Sequence, residues 1–135
     1  MAMPANGKAT TILVIDDQPF FTTMLRNVLE QQGFAVLTAG SGPAGIALAK
    51  QARPDAILLD IEMPEMDGFS VCQQLKADPE VQRIPVMILT SSDDAKLNQK
   101  AFTAGADITA LKAVSGERLV NMLRLALQQR KKSPE

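Results

Sequence analysis

Short apolar runs alternate along the chain with longer stretches in which apolar residues recur every three or four positions. The runs at 12–15 (ILVI), 34–38 (FAVLT), 56–59 (AILL) and 86–89 (VMIL), with a weaker one at 108–111 (ITAL), are bounded by Gly, Pro or Asp. Unbroken apolar character over four or five residues is what a strand covered on both faces requires. Between the first two runs, Phe20, Phe21, Met24, Leu25, Val28 and Leu29 fall at helical spacing over 19–32, and Gly33 stands where a left-handed C-terminal cap belongs. The same periodicity predicts helices at 43–52, 69–77, 93–104 and 115–130, the last with Leu119, Val120, Met122, Leu123, Ala126 and Leu127 on its apolar face. Five strands, each followed by a helix, imply parallel pairing through right-handed crossovers. The pattern therefore predicts a doubly wound α/β domain, one parallel sheet with helices on both faces.

Composition narrows this picture. A chain of 135 residues is the usual size of one domain, expected to span 11–130 between a flexible extension at 1–10 and a polar tail at 131–135. With 14 basic and 15 acidic residues the net charge is -1, which gives no reason to expect direct binding of nucleic acid. No apolar run is long enough to span a bilayer and the N-terminus lacks a signal-peptide core, so no membrane insertion and a cytoplasmic location are expected. Cys72 is the single cysteine and histidine is absent, which excludes a disulfide within the chain and removes the commonest zinc ligand and general base. Any metal must be held by oxygen. Cys72 itself reads as a small buried hydrophobe.

In a sheet of this kind, chemistry is expected outside the carboxyl ends of the strands. Asp16 and Asp17 end the first apolar run and Asp60 ends the third. Converging carboxylates repel one another unless a cation sits among them, and for hard oxygen ligands Mg²⁺ is the natural cation. Taken singly, Asp17 before Gln18-Pro19 could equally be a helix cap. Thr90 at the end of the fourth run and Lys112 after the fifth add a hydroxyl and an ammonium to the same rim. Such donors suit the charge of a transferred phosphoryl group, and an ionised carboxylate such as Asp60 can accept one without a base. Asp93 and Asp94 are expected to cap the fourth helix.

Four stretches, "VIDDQP", "LLDIEMPEMDG", "ILTS" and "GADITALKA", resemble the receiver domains of two-component response regulators. The spacings agree, with 90 − 60 = 30 residues from Asp60 to Thr90 and 112 − 60 = 52 from Asp60 to Lys112. The resemblance implies a flavodoxin-like (βα)5 fold with strand order 2-1-3-4-5. It further implies that Asp60 is phosphorylated by a histidine kinase or histidine phosphotransfer protein. Asp16, Asp17, Asp60 and the backbone carbonyl of Glu62 would then form the Mg²⁺ site, and Thr90 and Lys112 would contact the phosphoryl oxygens. Such a domain is a signalling switch that catalyses only its own phosphorylation and dephosphorylation. The expectation is a stand-alone receiver whose output runs through contacts with a downstream protein.

Two positions depart from the family. Where an aromatic usually stands three residues before the lysine, this chain has Thr109, and where proline usually follows the lysine it has Ala113. They keep a second reading open, a receiver-fold scaffold not switched by phosphorylation. A third, an aspartyl-nucleophile phosphatase, wants a second aspartate two residues after the first, and there the chain has Gln18.

Overall fold

A computed structural model describes residues 9–63, 67–92 and 94–132, with side chains to residue 129. Its elements alternate strictly: β1 (Thr11–Ile15), α1 (Pro19–Gln31), β2 (Ala35–Ala39), α2 (Gly42–Ala52), β3 (Ala56–Asp60), α3 (Gly68–Ala77), β4 (Val86–Thr90), α4 (Ala95–Thr103), β5 (Ile108–Leu111) and α5 (Gly116–Lys132). The strands form one parallel sheet in the order β2-β1-β3-β4-β5, the flavodoxin-like arrangement. Leu13 of β1 pairs with Leu37 on one side and Ile57 on the other, so the winding reverses at β1. The crevice beside it, at the carboxyl ends of β1 and β3, is the topological switch point.

Continuous apolar runs are explained by two buried layers. Leu13, Ile15, Ile57, Leu59, Val86 and Ile88 face Ala49, Val71, Cys72, Leu75 and Ala101 of α2, α3 and α4. Ile12, Val14, Leu58, Met87 and Leu89 face Leu25, Leu29, Leu119, Val120 and Leu123 of α1 and α5. The inner strands β3 and β4 are buried at every position, whereas the edge strands β2 and β5 are only partly covered. Cys72 is fully buried, and burial pushes its thiol up to about 11, so it packs as a small apolar group.

Most element ends fall within a residue or two of the sequence expectation, and the differences have local causes. Gly33 has φ of 91°, the left-handed turn that glycine adopts at no steric cost. In that turn Phe34 N–H donates to Leu29 carbonyl at 3.1 Å. Phe34 thus belongs to the helix closure and β2 starts one residue later than its apolar run. α4 starts at Ala95 because Asp94 is the extended N-cap, its carboxylate accepting Lys96 N–H at 2.7 Å. Asp93, expected to share that role, lies outside the described residues, as do 64–66 of the "EMPEMDG" loop. α5 continues two residues into the expected tail. No peptide among the described residues is cis, Lys112–Ala113 included.

The amino end of the sheet is held by carboxylates with backbone partners. Asp55 Oδ2 accepts Thr11 N–H at 2.8 Å. Asp107 Oδ2 accepts Val86 N–H at 2.8 Å and pairs with Lys76 Nζ at 2.9 Å. Lys76 also donates to the carbonyls of Gln82 and Ile84, tying the end of α3 to the turns before β4 and β5. Nearby, Asp78 accepts Glu80 N–H at 2.9 Å and pairs with Lys50 at 3.2 Å. Above all the Glu80 N–H, and then Lys50, hold its carboxyl below the usual range.

Candidate functional site at the carboxyl end of the sheet

The central strands deliver the functional side chains to the opposite edge. Asp16 follows β1 directly, its N–H donating to Ala39 carbonyl at 3.0 Å, and it is 3% exposed. Its Oδ1 accepts Gln18 N–H at 2.9 Å, while Oδ2 is buried without a hydrogen-bond partner. Asp60 is the last residue of β3 and 1% exposed. Its Oδ1 accepts Glu62 N–H at 3.0 Å and pairs with Lys112 Nζ at 3.1 Å, and Oδ2 again has no partner. Asp17 is partly exposed, yet its Oδ1 is buried and equally unpartnered. The helix-cap reading of Asp17 therefore fails: the N-cap of α1 is Gln18, and no side chain caps that end.

One oxygen from each of Asp16, Asp17 and Asp60 lies within 4.8 Å of the others. Crowding of this kind in a buried crevice shows in the titration of Asp16. Burial, above all, lifts its carboxyl to about 6; the charges of Asp60 and Asp17 add to the rise, against the Gln18 N–H and Lys112. Three carboxylates against one ammonium leave two negative charges, and each of the three clustered residues keeps one buried oxygen without a donor. A divalent cation that prefers oxygen fits both facts, and the open geometry suits an ion that keeps waters in its shell. The trio and the charge balance thus meet what a Mg²⁺ site needs.

The cationic side of the crevice is Lys112, one residue past β5, whose N–H extends the β4–β5 pairing by donating to Thr90 carbonyl at 2.8 Å. Its ammonium lies 3.1 Å from Asp60 and 3.9 Å from Asp16. Thr90 ends β4, one residue beyond the position paired with Asp60, and is buried. Its hydroxyl donates to Ser92 carbonyl at 3.3 Å and accepts Ser92 N–H at 3.2 Å, so it is turned onto its own loop. Glu62 lies at the rim; its N–H holds Asp60, and its side chain accepts the Ser91 hydroxyl at 2.7 Å. Gly68 makes the loop after Asp60 possible, since a Cβ there would stand 2.4 Å from Ile61 Cα and 2.7 Å from Asp60 carbonyl. At Thr109, where the family has its ring, the hydroxyl donates to Asn98 Oδ1 of α4 at 3.4 Å.

Two features escaped the sequence reading. Phe21, assigned only to the apolar face of α1, places its ring 5.0 Å from Lys112 Nζ. Its place in the first turn of α1, just after the acidic pair, was the available signal. The Ser91–Glu62 bond joins loops 29 residues apart and left no trace in either local pattern.

Fold and site define an α/β domain with an acidic, cation-accepting crevice at its switch point, faced by a hydroxyl-bearing strand end and a lysine. The chain belongs to the response regulator receiver domain family, whose model matches residues 12–124. It is a signalling domain of the two-component type, and receiver domains bind Mg²⁺ at such an acidic cluster. It is 38% identical over 116 residues to the protein PilH of Pseudomonas aeruginosa, covering 86% of this chain and 96% of that protein. It is 34% identical over 123 residues to the DNA-binding response regulator MtrA of Mycolicibacterium smegmatis, covering 91% of this chain and 53% of that one. The chain spans about half the length of several curated relatives it matches. Among solved structures, the chemotaxis protein CheY4 of Vibrio cholerae superposes with a TM-score of 0.84 at 27% identity, covering 88% of this chain and 99% of that one. The signal receiver domain of a histidine kinase from Syntrophus aciditrophicus superposes with 0.85 at 30% identity, covering 94% and 96%. No helix among the described residues is long and apolar enough to cross a membrane.

Proposed function

We propose that this domain accepts a phosphoryl group on Asp60 and transmits its state through protein contacts. The observation that carries the reading is Asp60 Oδ2: buried and without a partner, in a residue clustered with Asp16 and Asp17, which each keep an unpartnered oxygen too, while Lys112 holds the other Asp60 oxygen. An electron pair on Oδ2 attacks phosphorus, and the bond from phosphorus to the donor's imidazole nitrogen, or to the acyl oxygen of a small phosphodonor, breaks. The leaving group departs with the electrons of the broken bond: an imidazole takes a proton from water, whereas an acyl phosphate releases its carboxylate already ionised. Asp60 needs no base because a carboxylate is already ionised at neutral pH. Lys112 then meets the phosphoryl oxygens where charge develops, and Thr90, rotated off Ser92, supplies a hydroxyl donor. Asp16, Asp17, Asp60 and the carbonyl of Glu62 would hold Mg²⁺, which when bound neutralises negative charge shared by the carboxylates and the incoming phosphate.

The donor in the cell would be a histidine kinase or histidine phosphotransfer protein, and the recipient of the signal a downstream protein. Incubation with acetyl phosphate and Mg²⁺ followed by intact mass should add one phosphoryl group to the wild type and none to Asp60→Asn. Lys112→Ala should keep Mg²⁺ binding but lose phosphorylation-dependent signalling, because the phosphoryl charge would go partly uncompensated. A wild type that gains no mass would favour the scaffold reading, whereas phosphate gained by Asp60→Asn would show that another residue is the nucleophile.

A further inference from the structure

Lys112 must hold a single charge at the end of four flexible methylene groups, and a lysine so placed surrenders much rotamer freedom when it is fixed. Two carboxylates attract it from one side, Asp60 at 3.1 Å and Asp16 at 3.9 Å. On another side lies the Phe21 ring, 5.0 Å from Nζ. The Lys112 side chain is only 15% exposed, so water competes weakly for the ammonium, and the negative face of a ring attracts a cation most where water is excluded. Phe21 is anchored from behind by the apolar layer of α1 and α5. Beside it an apolar cavity of about 90 Å³ is lined in part by Phe21, Met24, Leu111, Leu119 and Lys112 itself. Ring and ammonium thus share one enclosed wall of the crevice.

We infer that Phe21 is a positioning residue for the reaction at Asp60: its ring holds the Lys112 ammonium over the acceptor carboxylate before the phosphoryl group arrives and while it is bound. This rests on the reading of Asp60 as the phosphoacceptor. When Asp60 Oδ2 becomes the bridging oxygen of an acyl phosphate, the carboxylate charge that holds Lys112 is lost and the phosphoryl oxygens replace it. The ring contact is independent of that exchange and keeps the ammonium within reach throughout. Phe21 stands in the first turn of α1, so the helix that starts behind the acidic pair also sets the lysine's position.

The test compares Phe21→Leu, which keeps apolar bulk but removes the ring, with Phe21→Trp, which restores a stronger ring and has the cavity to accommodate it. With acetyl phosphate and Mg²⁺, Phe21→Leu should be phosphorylated about threefold to thirtyfold more slowly than wild type, and Phe21→Trp at close to the wild-type rate. In a Lys112→Met background Phe21→Leu should have no further effect, because there is no ammonium left to position. Equal rates for Phe21→Leu and wild type, or an undiminished effect of Phe21→Leu beside Lys112→Met, would overturn the inference and leave Phe21 as packing alone. If Phe21→Leu does not fold, the wild type decides: the ε-methylene protons of Lys112 should be displaced by the ring current, and resonances at the position of an exposed lysine would refute the contact. A wild type that never gains phosphate on Asp60 would instead overturn the phosphoacceptor reading, while the ring-current measurement would still report on the contact by itself.

Discussion

The two ends of the sheet use the same residue type to opposite effect. At the amino end, Asp55, Asp107 and Asp78 each spend an oxygen on a backbone N–H, and Asp107 and Asp78 also have a lysine within 3.2 Å. At the carboxyl end, Asp16, Asp17 and Asp60 keep buried oxygens with no donor. Titration follows the difference: Asp78 is lowered, chiefly by its N–H partner, while Asp16 is raised to about 6, chiefly by burial. Carboxylates whose hydrogen bonds are complete stabilise the fold; carboxylates left incomplete in a crevice destabilise it until a ligand supplies the missing charge. The difference marks which end carries function more clearly than the count of acidic residues does.

The largest effect should come from the cation. Mg²⁺ at about a hundred times its dissociation constant should raise wild-type stability by about 2.7 kcal/mol, read as an upward shift in Tm. Asp17→Asn should lose that gain and yet be as stable as, or more stable than, the wild type without metal, since the substitution relieves repulsion. A wild-type melt indifferent to Mg²⁺ would break the contrast at the carboxyl end.

At the amino end the sign should reverse. Asp107→Ala leaves Val86 N–H without its acceptor and Lys76 without its carboxylate, and should cost about 2 kcal/mol with or without Mg²⁺. Chemical denaturation would read this as a lower midpoint at unchanged slope. A neutral Asp107→Ala would show that the paired carboxylates contribute nothing and that the two ends differ only in appearance.

The third effect is in pH, on the order of 1–2 kcal/mol. Between the ordinary carboxyl value of 3.8 and about 6, folded Asp16 keeps a proton that the unfolded chain has released. Its contribution to metal-free stability is therefore complete below 3.8, falls as pH rises through about 6, and is gone above. Mg²⁺ competes with that proton, so the stabilisation by Mg²⁺ should grow across the same window. Asp78 contributes with the opposite sign, its stability present above 3.8 and lost as pH falls into the acid range. Melts at pH 5 and pH 7, with and without Mg²⁺, read Asp16 apart from Asp78, whose window lies below both; a Mg²⁺ effect equal at both would show that Asp16 does not bind both proton and cation.

The smallest effect concerns how far the functional end reaches. Thr109 has only a 3.4 Å hydrogen bond to Asn98, and Thr109→Val should change stability by no more than about 0.5 kcal/mol. With no ring at that position, α4, which buries only Ala101 among its residues, should respond more than β5 does. Amide shifts recorded with Mg²⁺ and a phosphoryl mimic should be largest from Ser91 to Lys96. Changes concentrated at Thr109 and α5 instead would place the transmission on the other side of the site. Thr109→Tyr should then either sharpen discrimination by the target or leave it unchanged; the second result would favour the scaffold reading.

Much of this could be read from the chain alone because the signals are local. Apolar runs of four or five residues announce strands buried on both faces, and helical spacing with Gly33 as stop announces α1, since both depend on neighbours a few positions apart. Asp16, Asp17, Asp60, Thr90 and Lys112 were visible because a parallel sheet brings the last residues of its strands to one edge whatever the remaining sequence. What tertiary structure decided was pairing. Asp55 and Asp107 are the same residue type as the site aspartates but precede their strands where those end theirs, and only the fold shows that theirs meet backbone N–H groups and that three oxygens at the other end meet none. Phe21 and Lys112 stand far apart in the chain, as do Ser91 and Glu62. No periodicity can announce such contacts, because each is set by where two separate elements come to rest against the same sheet.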